Sequence, residues 1–202
     1  MEEPLAYPPK PWKRKKYEKA LLGYSIKGAC MMLRREDYLQ LGGLDEDFVC
    51  YVEESDLCHR VWLSGKKVLY EPSAHIYHWG GGDMQVMTKD EITMFRSYRN
   101  RFFSFIKNLS LLELAKTLPL LLIFCEAFIV MTILSGNFKR AICAQLGILS
   151  VVVSLPKILK KRRFIQNNIR KVSDRDINKF VLKNPRFPYY YHFFKNPGGY
   201  KD

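Results

Sequence analysis

The sequence predicts an α/β domain followed by a pair of apolar helices. Residues 28–33 form a short apolar run of strand length, and residues 34–41 then carry apolar side chains at helical spacing. The glycines at 42 and 43 suit the end of that helix. Two longer apolar runs, 118–134 and 141–156, are separated by a short polar turn, which is typical of a helical hairpin.

The first region continues with a second predicted helix and two further predicted strands. Residues 53–63 favour a helix because Leu57 and Val61 fall on one face. Two later stretches, 67–70 and 74–79, are rich in residues that favour strands. The expected order is therefore strand, helix, helix, strand, strand.

The charge of the chain indicates a partner of opposite sign. The 202 residues carry a formal net charge of +13, and basic residues cluster at 10–16, 96–101 and 157–163. Because the last two clusters flank the apolar runs, they favour a membrane surface over nucleic acid. No zinc-finger spacing or base-stacking signature supports nucleic acid binding. A basic, soluble nucleic-acid-binding protein therefore remains only as a second alternative.

The apolar hairpin has three possible relations to a membrane. Each apolar run is shorter than the roughly 20 residues that an upright span needs. If both runs crossed, Lys139 and Arg140 in the turn would lie on the opposite side from the flanking basic clusters, so both sides would be positive. We expect a hairpin that lies in or dips into one leaflet. True spanning and a soluble helical pair are the alternatives.

The cysteines indicate which side of the membrane the chain faces. There are five, an odd number, and they are scattered along the chain. Such a set predicts reduced thiols rather than a disulfide framework. We therefore expect the cytoplasmic face of the cell membrane.

An acidic cluster stands out in this basic chain. Six carboxylates lie between Asp45 and Asp56, and like charges so close repel one another unless a cation, a helix N-terminus or a proton relieves them. Glu53 and Glu54 are adjacent, about 100° apart on a helix, so we expect one to face a cleft while the other braces the turn. A carboxylate in a cleft can accept a proton from a sugar hydroxyl.

The structural alternative for this cluster is an acidic helix cap with surface salt bridges. Asp56 and Arg60 are four residues apart and predict an ion pair along the helix. Similarly, Asp174 and Asp176 match an Asp-x-Asp metal motif, but Ser173 with Asp176 also makes a capping box, which we favour.

Two histidines offer candidate metal ligands. His75 and His78 flank Ile76 and Tyr77, which favour a strand, where positions three apart face opposite sides. Of the two, His78 lies nearer the glycine-rich loop and is better placed to reach a site. Two histidines alone do not make a zinc site.

A series of short motifs recurs in one order between Ser25 and Asp83. They are Gly28-Ala29, Gly42-Gly43-Leu44-Asp45-Glu46-Asp47-Phe48, Tyr51-Val52-Glu53-Glu54-Ser55-Asp56-Leu57-Cys58-His59-Arg60, Gly65, Pro72-Ser73-Ala74 and His78-Trp79-Gly80-Gly81. Together they resemble the C-terminal half of the catalytic domain of family-2 inverting glycosyltransferases, in particular the rhamnosyltransferase-like branch. A weaker likeness to the membrane-associating tail of that branch continues through residues 96–101, the apolar hairpin and residues 164–174.

The resemblance implies a GT-A fold, in which a Rossmann-like sheet binds a nucleotide-sugar in its first half and presents the acceptor in its second. Four divisions of the chain follow. Residues 1–24 are expected to be a linker or an expression boundary, 25–108 the acceptor and catalytic-base half, 109–163 the apolar hairpin, and 164–202 a basic aromatic tail.

The resemblance also assigns roles to residues. Glu54 stands at the position of the general base that deprotonates the acceptor, and Glu53 is the alternative because the family has aspartate where this chain has Glu54. His78 matches the histidine that completes a divalent cation site for Mg or Mn. The remaining expected substrate-binding residues are Gly28, Ala29, Asp45 and Trp79.

The implied activity is inverting transfer of a sugar from a nucleotide-sugar donor to a lipid-linked or cell-surface glycan. No nucleotide-binding half precedes Ser25, so we expect the chain to be a fragment, a split product, or a subunit whose partner carries the donor site and most metal ligands. The first alternative is a non-catalytic, membrane-bound glycan or lipid adaptor.

Overall fold

The computed structural model describes residues 18–77 and 90–181, and helices dominate both parts. The α-helices in these two ranges are α1 (Arg35–Gln40), α2 (Glu53–Leu63), α3 (Asp90–Asn108), α4 (Leu111–Leu134), α5 (Phe138–Phe164) and α6 (Asp174–Val181). The strands described there are β1 (Leu21–Leu22) and β2 (Leu69–Tyr70). Single 3₁₀ turns lie at Gly28–Cys30 and Glu46–Phe48, and a π-turn at Ile165–Ile169 extends α5.

The predicted α/β, Rossmann-like sheet of a GT-A domain is wrong for the described part of the chain. Its sheet consists of β1 paired antiparallel with β2, two residues each, with Leu21 opposite Tyr70. The run at 28–33 contains a 3₁₀ turn instead of a strand, and residues 74–77 have no regular structure. Parallel strands are buried on both faces, whereas Met32 is 95% exposed. Among the described residues, the run pairs with neither β1 nor β2 and does not extend their sheet.

The helical predictions are confirmed. Helices α1 and α2 lie where the periodicity placed them, and the predicted hairpin runs are helices that extend beyond their apolar stretches. Gly42 and Gly65 follow the first two helices with φ of +81° and +83°, a conformation that glycine adopts without strain. The capping box also forms, because the N–H of Asp176 donates to Oγ of Ser173 at 3.2 Å.

Helix α3 packs along α5 and forms the first core. The contact is close because α5 presents a stripe of small residues, and the carbonyl of Phe95 lies directly against Gly147. Aromatic side chains of α3 fill the space around this contact. The buried members of this core include Tyr98, Phe102, Phe103 and Ile106 from α3, and Ala141, Ala144, Val151 and Ile158 from α5.

A second core surrounds helix α2. Leu57, Val61 and Trp62 pack against Ile165 and Ile169 at the end of the α5 extension. The C-terminal end of α2 is also tied to that segment through its backbone, because the N–H groups of residues 171 and 172 donate to the carbonyl of residue 63. The α2 region and the hairpin are thus parts of one packed body.

The hairpin helices are long and apolar enough to cross a membrane by length and composition. Helix α4 has 24 residues and spans about 36 Å, more than the roughly 30 Å of a bilayer's hydrocarbon core. Helix α5, with its extension to Ile169, passes the same test, and most of the apolar window of each helix is exposed. The two helices support membrane association without showing which side they face.

We expect Gly147→Ala to destabilise the protein although alanine is the better helix former. The added Cβ would lie 2.5 Å from the carbonyl oxygen of Phe95, so α3 and α5 must separate, at a cost of about 1–3 kcal/mol in the free energy of unfolding. Chemical denaturation followed by circular dichroism measures this loss. The matched control is Gly23→Ala, whose Cβ would make an ordinary 3.5 Å contact. Equal stability of the two variants would contradict the close packing.

Candidate functional site

A strained turn precedes the acidic start of helix α2. Val49, Tyr51 and Val52 have φ of +62°, +68° and +73°, values that non-glycine residues seldom adopt and valine least of all. Each such residue costs on the order of 1–3 kcal/mol and persists only when surrounding contacts hold it. The turn delivers Glu53 and Glu54 as the first two residues of α2.

Helix α3 holds this strained turn through one buried amide. Nδ2 of Asn100, a residue with no exposed surface, lies 3.0 Å from the carbonyl oxygen of Phe48, 2.9 Å from that of Cys50 and 2.8 Å from that of Tyr51. These three carbonyls point inward because the chain reverses around the amide. Asn100 therefore fixes the direction in which the chain enters α2.

Other residues of α3 add to this hold. Arg99 donates to the carbonyl of Asp47 at 2.6 Å, and Arg96 lies 3.1 Å from Sγ of Cys50. One turn earlier, the hydroxyls of Thr93 and Tyr51 are hydrogen-bonded. The arginine-rich segment that the sequence assigned to a membrane surface thus directs part of its charge inward, to the turn.

Glu53 and Glu54 both place carboxylate oxygens where water does not reach them. Oε2 of each is buried and has no hydrogen-bond partner within residues 18–77 and 90–181. Burial is the largest influence on the pKa of Glu53 and raises it; its own backbone N–H opposes this effect, and the charge and hydrogen bonding of Glu54 add to it. Both glutamates thus place one oxygen away from water at the first turn of α2, and the expectation that one of them faces a cleft while the other braces the turn stays a prediction.

The segment before the first 3₁₀ turn lies over these glutamates. A Cβ added at Gly28 would be 3.7 Å from Cβ of Glu54, so this segment passes close to the start of α2. The hydroxyls of Ser25 and Ser55 are 3.2 Å apart and fix this segment to α2. Ala29, which the sequence grouped with Gly28, is exposed beside it.

Behind the glutamates, Asp56 is fully buried and fully paired. Its carboxylate accepts from Nε and Nη2 of Arg60 at 3.2 and 3.0 Å, which confirms the predicted pair. It also accepts from Lys107 at 3.2 Å and from Nδ2 of Asn108 at 2.7 Å. Two helices, α2 and α3, thus meet at one carboxylate.

Asp45, a predicted substrate-binding residue, forms ion pairs with lysines of the protein itself. Its carboxylate pairs with Lys107 of α3 and Lys161 of α5. Burial raises the pKa of Asp45, but the two lysines outweigh that effect and hold it at about 2. Asp47 pairs with Lys161 at 2.6 Å and with Lys157. Residues 45–47, the acidic turn, are thus bound to α5 of the hairpin.

Part of the predicted site lies outside the described residues. His78 and Trp79, the expected metal ligand and substrate contact, belong to that part, so their relation to Glu53 and Glu54 stays a prediction. Among the residues whose placement is described, no group of three or more His, Cys, Asp or Glu side chains is arranged to hold a metal ion. The two glutamates alone do not fit the six oxygen ligands that Mg²⁺ requires.

His59 is a buried histidine that the sequence did not single out. Its Nδ1 is 2.8 Å from the hydroxyl of Tyr24, and its ring packs edge-on against the tyrosine at a centroid distance of 5.4 Å. Burial lowers the pKa of His59 to about 4, so the imidazole is neutral at pH 7. It fastens the N-terminal segment to α2.

Comparison with known proteins finds short similarities to rhamnosyltransferases. The chain is 38% identical over 53 residues to N-acetylglucosaminyl-diphospho-decaprenol L-rhamnosyltransferase of Mycobacterium tuberculosis, covering 26% of this chain and 17% of that protein. It is 34% identical over 56 residues to rhamnosyltransferase WbbL of Escherichia coli (strain K12), covering 28% and 21%. The chain thus matches about a fifth of the length of these relatives. No protein-family model and no solved structure matches it.

We expect stability to fall as the solution is acidified through the titration range of His59. The folded pKa of about 4 lies below the ordinary 6.5, so the unfolded chain binds a proton first. The contribution of neutral His59 to the free energy of unfolding is complete above about pH 6.5. It is lost toward pH 4, by up to about 1.4 kcal/mol per pH unit. Denaturation across this range, compared with His59→Gln, measures it. The exposed His75→Gln should keep the wild-type slope; a wild-type slope in His59→Gln would contradict the assignment.

We expect Asn100→Ala to destabilise the protein by about 3 kcal/mol, because three inward-facing carbonyls lose their donor and the strained turn loses its support. Asn168→Ala is the control, since its exposed amide bonds one helical carbonyl at 3.0 Å and should matter by less than about 0.5 kcal/mol. Urea unfolding measures both. Asn100→Ala as stable as the control would show that the turn is held by other contacts.

Proposed function

We propose that this chain takes part in glycosyl transfer and supplies the group that accepts the proton of the acceptor hydroxyl. The observation that carries the proposal is the pair of buried carboxylate oxygens of Glu53 and Glu54, unpartnered among the described residues at the start of α2. The short similarities to two rhamnosyltransferases support the reaction class.

A carboxylate with an unused oxygen is suited to general-base chemistry. As the acceptor oxygen forms its bond to the anomeric carbon, its proton passes to a glutamate oxygen, and the nucleotide diphosphate leaves with the electrons of the broken glycosidic bond. Attack from the face opposite the leaving group inverts the anomeric centre. A raised pKa brings Glu53 closer to the operating pH, which favours proton transfer.

Of the two glutamates, we assign the base to Glu54 and the role of neighbour to Glu53. A Cβ added at Gly28 would lie 3.7 Å from Cβ of Glu54, so the glycine leaves space beside the stem of the Glu54 side chain. The charge of Glu54 adds to burial in raising the pKa of Glu53, so Glu53 is the partner whose titration responds to the pair. The strained turn and Asn100 position the pair.

The substrates of the proposed reaction follow from the relatives. The donor is a nucleotide-sugar, with a rhamnosyl donor as the first to test, and the acceptor is a lipid-linked glycan such as an N-acetylglucosaminyl diphospholipid. Acceptors of this kind lie in a membrane, which agrees with the two apolar helices. A partner polypeptide that carries the donor site is part of the proposal. No step is assigned to a divalent cation, because the described residues do not form a site for one.

We expect Glu54→Gln to abolish sugar transfer, because glutamine keeps the shape of the side chain but does not accept the proton. The assay uses membranes of the source organism from which the chain has been deleted, supplied with a panel of labelled nucleotide-sugars and an N-acetylglucosaminyl diphospholipid. Added wild-type chain should restore product, which mass spectrometry identifies. Glu54→Gln should restore less than about a hundredth of it, in line with the loss of a general base.

Glu46→Gln is the matched control, since Glu46 is an exposed glutamate of the same acidic region and should restore full transfer. Glu53→Gln should lower transfer and shift its dependence on pH without abolishing it. Full restoration by both Glu54→Gln and Glu53→Gln would contradict a catalytic role and would favour the adaptor alternative.

A further inference from the structure

Helix α5 carries an exposed apolar stripe along its whole first part. The stripe consists of Phe138, Ile142, Leu146, Leu149 and Val153, which recur every three or four residues and therefore lie on one face. Each of the five side chains is more than half exposed, and Val153 is 85% exposed. A stripe of this length on a water-soluble surface is unusual and marks a surface that contacts something apolar.

The same face of α5 becomes basic where the stripe ends. Lys160 and Arg163 continue the spacing of three and four residues past Val153, and both are exposed. Neither has an ion-pair partner in the described ranges, in contrast to Lys157 and Lys161, which pair with the acidic turn. One face thus offers hydrocarbon contacts followed by free cations, which is complementary to lipid chains beneath anionic headgroups.

Helix α4 adds a second exposed apolar surface to the hairpin. Its side chains at Leu112, Leu120, Ile123, Val130 and Leu134 are all more than half exposed and follow a helical repeat from one end of the helix to the other. The apolar surface therefore extends over the length of both helices rather than being confined to their tips.

The opposite side of α5 is covered by protein over much of its length. Helix α3 runs parallel to α5, from the contact of Phe95 with Gly147 to the carbonyls of Ile106 and Leu109, which accept from Arg162. Helix α3 in turn carries the strained turn and its acidic residues. An upright hairpin would take the polar residues of α3 next to Phe95, such as Arg96 and Arg99, into hydrocarbon at the depth of Gly147, which is costly.

We propose that the α4–α5 hairpin lies along the surface of an anionic bilayer, immersed through its exposed apolar face and held by Lys160 and Arg163, and does not cross. The turn between the helices, with Lys139 and Arg140, then stays on the same side of the membrane as the strained turn. This inference rests on the surface of the hairpin and not on the proposed glycosyl transfer.

The apolar part of the inference is tested by flotation of the full chain with vesicles of phosphatidylcholine and phosphatidylglycerol. Leu149→Asp with Val153→Asp should lower the partition coefficient at least tenfold, with an unchanged helical circular dichroism spectrum. The matched control, Met32→Asp with Leu39→Asp, changes two exposed apolar residues outside the hairpin and should bind as wild type. Wild-type binding by the stripe variant, or no binding by the wild-type chain, would overturn the proposal.

The basic part is tested by charge reversal. Lys160→Glu with Arg163→Glu should lose most of the preference for anionic over neutral vesicles, whereas Arg34→Glu with Arg35→Glu, which changes the net charge equally at exposed sites near α1, should retain it. An equal loss in both pairs would show that only the overall charge matters and would remove Lys160 and Arg163 from the contact.

The orientation is tested by labelling Ser135→Cys, in the hairpin turn, with a membrane-impermeant maleimide added outside preformed vesicles. Peptide mass spectrometry separates this label from labels on the native cysteines. A surface hairpin predicts labelling as complete as that of Ser73→Cys, which is exposed far from the hairpin in sequence. Protection of residue 135 until detergent is added would show a crossing hairpin and overturn the proposal.

Discussion

The buried carboxylate of Asp56 is the contact on which the arrangement of this protein depends. It has no exposed surface, and it accepts hydrogen bonds from Arg60 on its own helix and from Lys107 and Asn108 on α3. A buried charge is tolerated only when its partners are all present, and the loss of one partner costs about 3–5 kcal/mol. Because Lys107 also pairs with Asp45, the same contact fixes the acidic turn relative to both helices.

Contacts from α3 also explain the strained backbone that precedes α2. The carbonyls of Phe48, Cys50 and Tyr51 are held by Asn100, and the chain between them passes through left-handed conformations that valine and tyrosine avoid. As a result of this turn, two adjacent glutamates begin the helix, and each has one oxygen shielded from water. Burial at this position is also what raises the pKa of Glu53.

Local patterns in the sequence predicted the helices well and the sheet poorly. Helix α2, its Asp56–Arg60 pair and the hairpin follow from periodicity and spacing within a few residues. Whether the run at 28–33 becomes a strand depends on a neighbouring strand, which local sequence does not report. Asn100 lies 49 residues from Tyr51, and Lys161 lies 116 residues from Asp45. Because these separations are long, no short sequence motif predicts the two contacts. The usable signal was the amide of Asn100 in the middle of an amphipathic, arginine-rich helix.

The ion pairs of Lys157 and Lys161 have a geometric consequence for the glutamates. These lysines lie on the helix that carries the apolar stripe, and they pair with Asp45 and Asp47, a few residues before the strained turn and α2. The glutamates are therefore connected to the hairpin by a short segment that ion pairs hold in place, and not by a flexible linker. A surface that binds the hairpin therefore holds the glutamates at one constant height above it. The length of the acceptor headgroup then decides whether its hydroxyl reaches them.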